Sequence, residues 1–320
     1  MTTPRDNDPA LHVRSAPQGR IPDFSPVTDA MRTLEGACPP PWAMYQDRRF
    51  LEICTRHYGW ALADWSGILG VERRLPGVGG LRGRVWSPEA RAPGTWAQAL
   101  ADSGVGILDV ITNEAVDHPG FQRTSPADLV SMIVRIEDDL DAMFAGFEKR
   151  LRNGIKKGMH AGMAIELGEH PHELEAFHRL LVGITQGGVR YEVPPMPVLD
   201  ALHQERIGRL YLARWHGQIV GGLFVLGGLL THGFVSGFDP SACDGLPSSL
   251  LYWDAIRAES ARGCRYLDLG AQSPAEHPSL TLAKRGFRPI HVPAYRYTVV
   301  ASAWRARLMR GIDRLRGRST

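Results

Sequence analysis

Gly263-Cys264-Arg265-Tyr266-Leu267-Asp268-Leu269-Gly270, followed by Leu282-Ala283-Lys284-Arg285-Gly286-Phe287, is the pair of segments on which the reading of this chain turns. Arg265 to Leu269 reads as a short apolar strand. Asp268 stands at its end, where a carboxylate is out of place unless it is paired or shapes a turn. It either pairs with a cationic partner such as an arginine, or braces the loop at Gly270. Lys284 precedes Gly286 and Phe287 at a turn into the last strands. The chain has only four lysines (Lys149, Lys156, Lys157 and Lys284) among its 37 basic residues. Against that arginine bias, a lysine at such a turn either holds an anionic group or is an exposed loop lysine.

Working outward, Pro247 to Arg262 reads as an amphipathic helix with Leu250, Leu251, Trp253, Ile256 and Ala258 on or near one side. Before it come strands at Leu230 to Ser236 and Ile219 to Leu226. The latter is joined through His216-Gly217-Gln218 to a strand at Leu210 to Trp215, in hairpin fashion. Leu202 to Gly208 ends a helix, Glu173 to Thr185 forms another, and Met163 to Leu167 is a short strand or turn. Leu140, Met143, Phe144, Phe147, Leu151 and Ile155 recur at helical spacing, which predicts a helix from about Pro126 to Gly162 with a break. Its later turns carry Lys149, Arg150, Arg152, Lys156 and Lys157. In the first half, a short helix runs through Phe50, Leu51, Ile53 and Cys54, and Trp60 to Val71 reads as one strand. Arg73 to Gly80 is a Pro/Gly turn region. Thr95 to Ala101 is helical, Gly106 to Thr112 is a buried strand, and Tyr295 to Val300 closes the second half. Strand and helix alternate in both halves in a similar order, which argues for a duplicated α/β or α+β unit.

A chain of 320 residues suits roughly two domains of about 150 residues each. With 43% hydrophobic and 22% charged residues it has globular composition, and its net charge of +3 is far from that of a polycationic tail protein. Cys38, Cys54, Cys243 and Cys264 show no metal-ligand spacing and read as scattered reduced thiols; no metal is expected. His203, His216 and His232 are spaced neither as ligands nor as a triad and read as structural or surface residues. Met1 to Gly19 is polar without a signal pattern, and the apolar run Ile219 to Leu230 is too short for a membrane span. The expected location is the cytoplasm, with the inner membrane face as an extension. No GxSxG, HExxH, Walker A or GxGxxG loop occurs in the right context.

Three stretches together resemble the FemABX-like aminoacyltransferases of the GNAT acyltransferase superfamily, over roughly residues 42 to 300. They are Arg152 to Gly158 with Gly162-Met163; Gly217 to Gly222 with Ser236-Gly237 and Pro247 to Trp253; and the two segments quoted first. Gly158, Ala271 and Ala283 depart from the family's usual residues. The resemblance implies an α/β (α+β) fold of two tandem GNAT-like domains, each a mixed twisted sheet flanked by helices. The expected organisation is an irregular lead-in at 1–42, domains at 43–150 and 151–302, and a basic C-terminal helix at 303–320. The implied activity is transfer of an amino acid from a charged tRNA to an amine of a peptide or peptidoglycan precursor (UDP- or lipid-linked), by a monomer, without a cofactor. Lys284 and Asp268 are the implied catalytic residues. Arg190, Tyr191, Ser236, Ser248, Tyr252 and Gln272 are the implied substrate-binding residues. Transfer of this kind needs a docked ester, an unprotonated amine and stabilisation of the developing oxyanion, with no covalent nucleophile. The alternative donor is an acyl-CoA. Its pyrophosphate is held on backbone N–H groups of a glycine-rich turn, whereas Phe238 to Leu246 contains Asp239 and Asp244. The stretch Trp304 to Arg318, with six arginines among apolar residues, reads as a helix that either meets tRNA phosphates or an anionic membrane face, or is a solvated end.

Overall fold

In the computed structural model, residues 43–88, 95–186, 193–228, 230–243, 246 and 248–315 are described. The expected lead-in at 1–42, Arg190 and Tyr191 lie outside them. The described elements run α1 (Arg48–Tyr58), β1 (Ala61–Trp65), β2 (Ile68–Leu75), β3 (Gly79–Trp86), α2 (Trp96–Ala101), β4 (Ile107–Thr112), β5 (Phe121–Arg123) and β6 (Val130–Arg135) in the first half. They continue as α3 (Leu140–Gly146), α4 (Lys149–His160), β7 (Ala164–Gly168), α5 (Pro171–Gln186), α6 (Met196–Gln204), β8 (Gly208–Trp215), β9 (Gln218–Leu226) and β10 (Leu230–Phe238). The chain ends through α7 (Ser249–Ser260), β11 (Tyr266–Gln272), α8 (Pro278–Arg285), β12 (Ile290–Pro293), β13 (Tyr295–Val299) and α9 (Ala303–Leu315).

Local chemistry accounts for the turns. At Ser66-Gly67 and at His216-Gly217 both residues have positive φ (58° and 87°; 47° and 78°), the two-residue geometry whose twist matches that of the flanking antiparallel strands. The first of these cuts the expected Trp60 to Val71 strand into the β1–β2 hairpin. The expected long helix from Pro126 is also corrected. Val130 to Arg135 is a strand buried along all but its last residue, and a strand covered on both faces shows a continuous apolar run instead of alternation. Helix starts only at Leu140, where the Asp139 carboxylate accepts from the backbone N–H groups of Asp141 and Ala142. The Arg73 to Gly80 turn region is shorter than expected, with β2 running through Leu75 and β3 starting at Gly79 and turning Leu81, Gly83 and Val85 to the core.

The strands form two sheets, β1-β2-β3-β4-β13-β5 and β12-β6-β11-β10-β9-β8-β7. Each repeats one plan: an antiparallel meander, then a helix crossing to a parallel strand, with α2 between β3 and β4 and α7 between β10 and β11. This is the tandem arrangement of two mixed sheets flanked by helices. The halves are interlocked, however. β6, from the first half of the chain, lies antiparallel against β11 in the second sheet. β13, from the second half, lies antiparallel against β4 in the first sheet. Tyr295 to Val300 therefore closes the first sheet, not the second.

One apolar core fills the space between the second sheet and α3, α4 and α7, through Phe147, Leu151, Ile155, Trp253, Leu267 and Leu269. A second lies on the other face of that sheet. There Phe177, Leu199 and Phe224 join Phe50, Leu69 and Val71 of the first half, so burial itself fastens the halves together. α9 sits on the first half, with Ala306 and Met309 buried and the Arg305 guanidinium donating to the Gly104 carbonyl. The expected domain 151–302 lacks β6, and cutting there opens both sides of an apolar strand position. We expect that fragment, expressed alone, to give no cooperative thermal transition by circular dichroism, whereas residues 43–315 melt in one.

Candidate active site

The site begins where two strands part. β10 and β11 run parallel, but their pairing covers only Leu230–Tyr266, Thr231–Leu267 and His232–Asp268. Beyond that the strands diverge. On its other side β11 pairs with β6 at Asp268 and again at Ala271, with an irregularity between. Leu269 and Gly270 thus fall outside both ladders, and Gly270 takes φ 87°, which glycine adopts at low cost. A buried carbonyl with no ladder partner needs another donor. The Leu269 carbonyl gets it from Lys284 Nζ at 2.5 Å.

Helix α8 delivers Lys284 from its last turn, and two contacts hold that turn in place. The Gly286 carbonyl accepts from the Glu148 backbone N–H at 3.0 Å, tying the end of α8 to the start of α4. A Cβ at Gly286 would stand 2.9 Å from Leu151 Cβ, so the approach requires glycine. Phe287 is buried and packs edge-on against Phe147 at 5.3 Å. A similar closeness explains Gly158, one of the departures from the family pattern. A Cβ there would lie 3.1 Å from the Leu250 side chain, because α4 and α7 pack tightly. Burial lowers the Lys284 pKa to about 8, and the Asp268 carboxylate opposes that shift. An ammonium carries three donors, so one bond to Leu269 leaves two for a ligand.

Asp268 is fully buried behind this lysine. It accepts from the Gly270 backbone N–H at 2.8 Å, and its other oxygen is 2.8 Å from His232 Nδ1 on the neighbouring strand. The aspartate therefore pins the last paired rung before the strands part, and it makes no hydrogen bond to Lys284. His232, read from sequence as structural or exposed, is the buried partner of this carboxylate.

In front of Lys284 opens a cleft of about 400 Å³ between α4, α7 and α8. Of the expected residues, Lys284, Ser248 and Tyr252 line it, and Asp268, Ser236 and Gln272 do not. Ser236 stands behind Tyr252, the two hydroxyls 2.9 Å apart. Burial raises the Tyr252 pKa, so the phenol stays protonated and available as a donor. Gln272 is buried with its amide N–H on the Thr281 hydroxyl. Arg150 and Lys157 join Lys284 on the cleft wall against Glu148, the one acidic lining residue among those described, and Leu280 and Leu282 form an exposed apolar rim. Ser249, in the first turn of α7, adds a buried hydroxyl oxygen without a partner among the described residues. Sequence reading missed Ser249 and the Leu269 carbonyl. The first lies next to the Ser248 already singled out; nothing local marks the second. Among the described residues no group of three His, Cys, Asp or Glu is placed to hold a metal, and none of their helices is long and apolar enough to cross a membrane.

The arrangement suits an anionic ligand: ammonium and guanidinium groups line one cleft, with hydroxyls at a helix start and apolar walls. Residues 145–277 match the acetyltransferase (GNAT) domain family. No curated protein sequence matches the chain. The crystal structure of FemX superposes with a TM-score of 0.60 at 14% identity, covering 84% of this chain and 95% of FemX. L-PGS from Bacillus licheniformis gives 0.54 at 14% identity, over 94% of this chain and 98% of that one. A conserved protein of unknown function from Bacteroides thetaiotaomicron gives 0.54 at 13% identity, over 86% and 97%. At such identities the likeness speaks for the fold, while the sequence match speaks for the type of the second-half domain. Residues 145–277 thus match the acetyltransferase (GNAT) domain family, and the fold of the chain that carries them is similar to that of FemX.

Proposed function

We propose that this acyltransferase moves an aminoacyl group from a charged tRNA to an amine of a peptide or peptidoglycan precursor. The observation that carries the reading is the position of Lys284, an ammonium held on the Leu269 carbonyl that neither strand ladder uses, facing a cationic cleft. In the reaction the unprotonated amine attacks the ester carbonyl, and the C–N bond forms as the C–O bond to the ribose breaks. The amine proton ends on the ribose hydroxyl. Lys284 holds a donor phosphate, or the oxygen on which charge gathers, in a site partly shielded from water, where such a contact is strong. Tyr252, Ser248 and Ser249 supply hydroxyls beside the start of α7. Arg150 and Lys157, with the exposed Lys149 and Lys156 along α4, extend a cationic track for nucleic-acid phosphates. Arg307, Arg310 and Arg314 of α9 are exposed too and offer a further cationic face.

An acyl-CoA donor is the second reading, favoured by the match to the acetyltransferase domain. Against it stands Asp239, at the turn that leads from β10 toward α7. Its carboxylate accepts from the Ser241 hydroxyl and backbone N–H and is held below the usual carboxylate range, so it stays ionised where a pyrophosphate would approach. The test is to supply the protein with an amine acceptor and either a radiolabelled aminoacyl-tRNA pool or labelled acetyl-CoA. We expect loss of label from tRNA and none from acetyl-CoA; consumption of acetyl-CoA alone would replace the first reading by the second.

A further inference from the structure

A second cavity, of about 330 Å³, lies on the seam where the first half meets the other face of the second sheet. None of its lining residues lines the Lys284 cleft. Its size falls in the range of pockets that enclose small ligands. Phe50, Trp60, Trp86 and Phe234 give it aromatic walls, and Arg84 is its one charged lining residue among those described. Phe50 and Phe234 meet edge to face at 6.2 Å. Trp86 is backed by the stacked ring of Tyr45 at 5.3 Å, which holds the indole in place. The walls are therefore rigid and apolar, suited to a flat body.

The polar feature is Arg84. On β3, the neighbouring Arg82 is paired with Asp109 at 3.0 Å. Arg84 makes no hydrogen bond or ion pair among the described residues; its guanidinium lies 5.7 Å from the centre of the Trp86 ring. A half-buried guanidinium whose donors are unused is matched by an acceptor with two parallel oxygens. None of the described lining residues is acidic, so nothing there would hold a ligand's ammonium group. Cys54, also on the wall, has its thiol pushed up to about 12 by burial; it stays protonated and acts as a soft surface, not a nucleophile.

We propose that this cavity binds a small carboxylic acid with an aromatic or similarly flat apolar body and no amino group, its carboxylate on Arg84. The proposal does not depend on which donor the Lys284 cleft takes. It is tested on the full chain with three probes of one shape: 3-phenylpropionate, its neutral amide, and L-phenylalanine, which adds an ammonium group. Isothermal titration gives affinities, and quenching of tryptophan fluorescence reports on the walls. The acid should bind about tenfold or more tighter than the amide, as a charge-assisted bidentate contact warrants, and tighter than phenylalanine. In Arg84→Gln the acid should fall to the level of the amide, with the melting temperature unchanged, and Arg84→Lys should restore part of the difference. Equal binding of acid and amide, an acid affinity unmoved in Arg84→Gln, phenylalanine binding as tightly as the acid, or no binding by any probe would each overturn it.

Discussion

Replacing Lys284 by alanine lowers aminoacyl transfer by about 100- to 1000-fold at pH 7, the range seen when one donor to a developing oxyanion is removed. The loss falls on the rate constant more than on acceptor binding, because the ammonium acts on the donor. The variant also leaves the buried Leu269 carbonyl without its donor, at about 1–3 kcal/mol of stability, so urea unfolding is run beside the assay to separate lost chemistry from lost fold. Single-turnover transfer from charged tRNA measures the loss of rate, and an unchanged rate would remove Lys284 from the mechanism. The pH profile gives a second, independent reading. The Lys284 pKa is lowered to about 8 by burial, so the ammonium form dominates at neutral pH and is lost as pH rises through that value. A reaction that needs the charge therefore declines above about pH 8, even as the acceptor amine becomes a better nucleophile. Lys284→Arg cannot lose its proton in this range. Whatever activity it retains should show no such decline.

Asp268→Ala is expected to cost about 2–6 kcal/mol of stability, because it leaves one buried and one half-buried donor without their acceptor at about 1–3 kcal/mol each. Those donors are the Gly270 backbone N–H and His232 Nδ1, both held at 2.8 Å by a carboxylate that is 0% exposed. Urea unfolding of the intact chain reads this out; a midpoint equal to that of the parent would show that the buried pair does not matter. Asp268→Asn keeps the shape and one acceptor oxygen, and it separates structure from chemistry. If the aspartate only positions the strands, the asparagine variant folds and transfers within about tenfold of the parent. If its charge also supports the ammonium of Lys284, the decline with pH moves to lower pH in that variant, since Asp268 raises the lysine pKa. A structural role alone would leave the profile where it is.

Much of the architecture is legible along the chain because the strands that form it carry their own signals. The β8–β9 hairpin follows from two apolar runs around His216-Gly217, and α7 from the spacing of Leu250, Leu251, Trp253 and Ile256. β6 was not legible as a strand. Val130 to Arg135 is covered on both faces, which erases the alternation that separates strand from helix, and the helical spacing that starts at Leu140 extends backward over it. The break at Ser66-Gly67 could have been read from its residues, since serine followed by glycine marks a turn.

The candidate site divides in the same way. Lys284 stands out by its turn and by the scarcity of lysine, Ser248 and Tyr252 follow from the resemblance, and the three meet in one cleft. Asp268 was noticed as a carboxylate where none belonged, with its role open between orienting substrate and bracing the loop; its partner His232 lies 36 positions away on another strand. Composition, periodicity and turn residues are local, and they suffice to establish two α/β units and one conspicuous lysine. Which strand fills which sheet, where β10 and β11 part, and which carbonyl is left outside both ladders depend on pairing between distant segments. No local pattern encodes such contacts, so the exchange of β6 and β13, the buried His232–Asp268 pair and the aromatic cavity around Arg84 came into view only once the chain was folded.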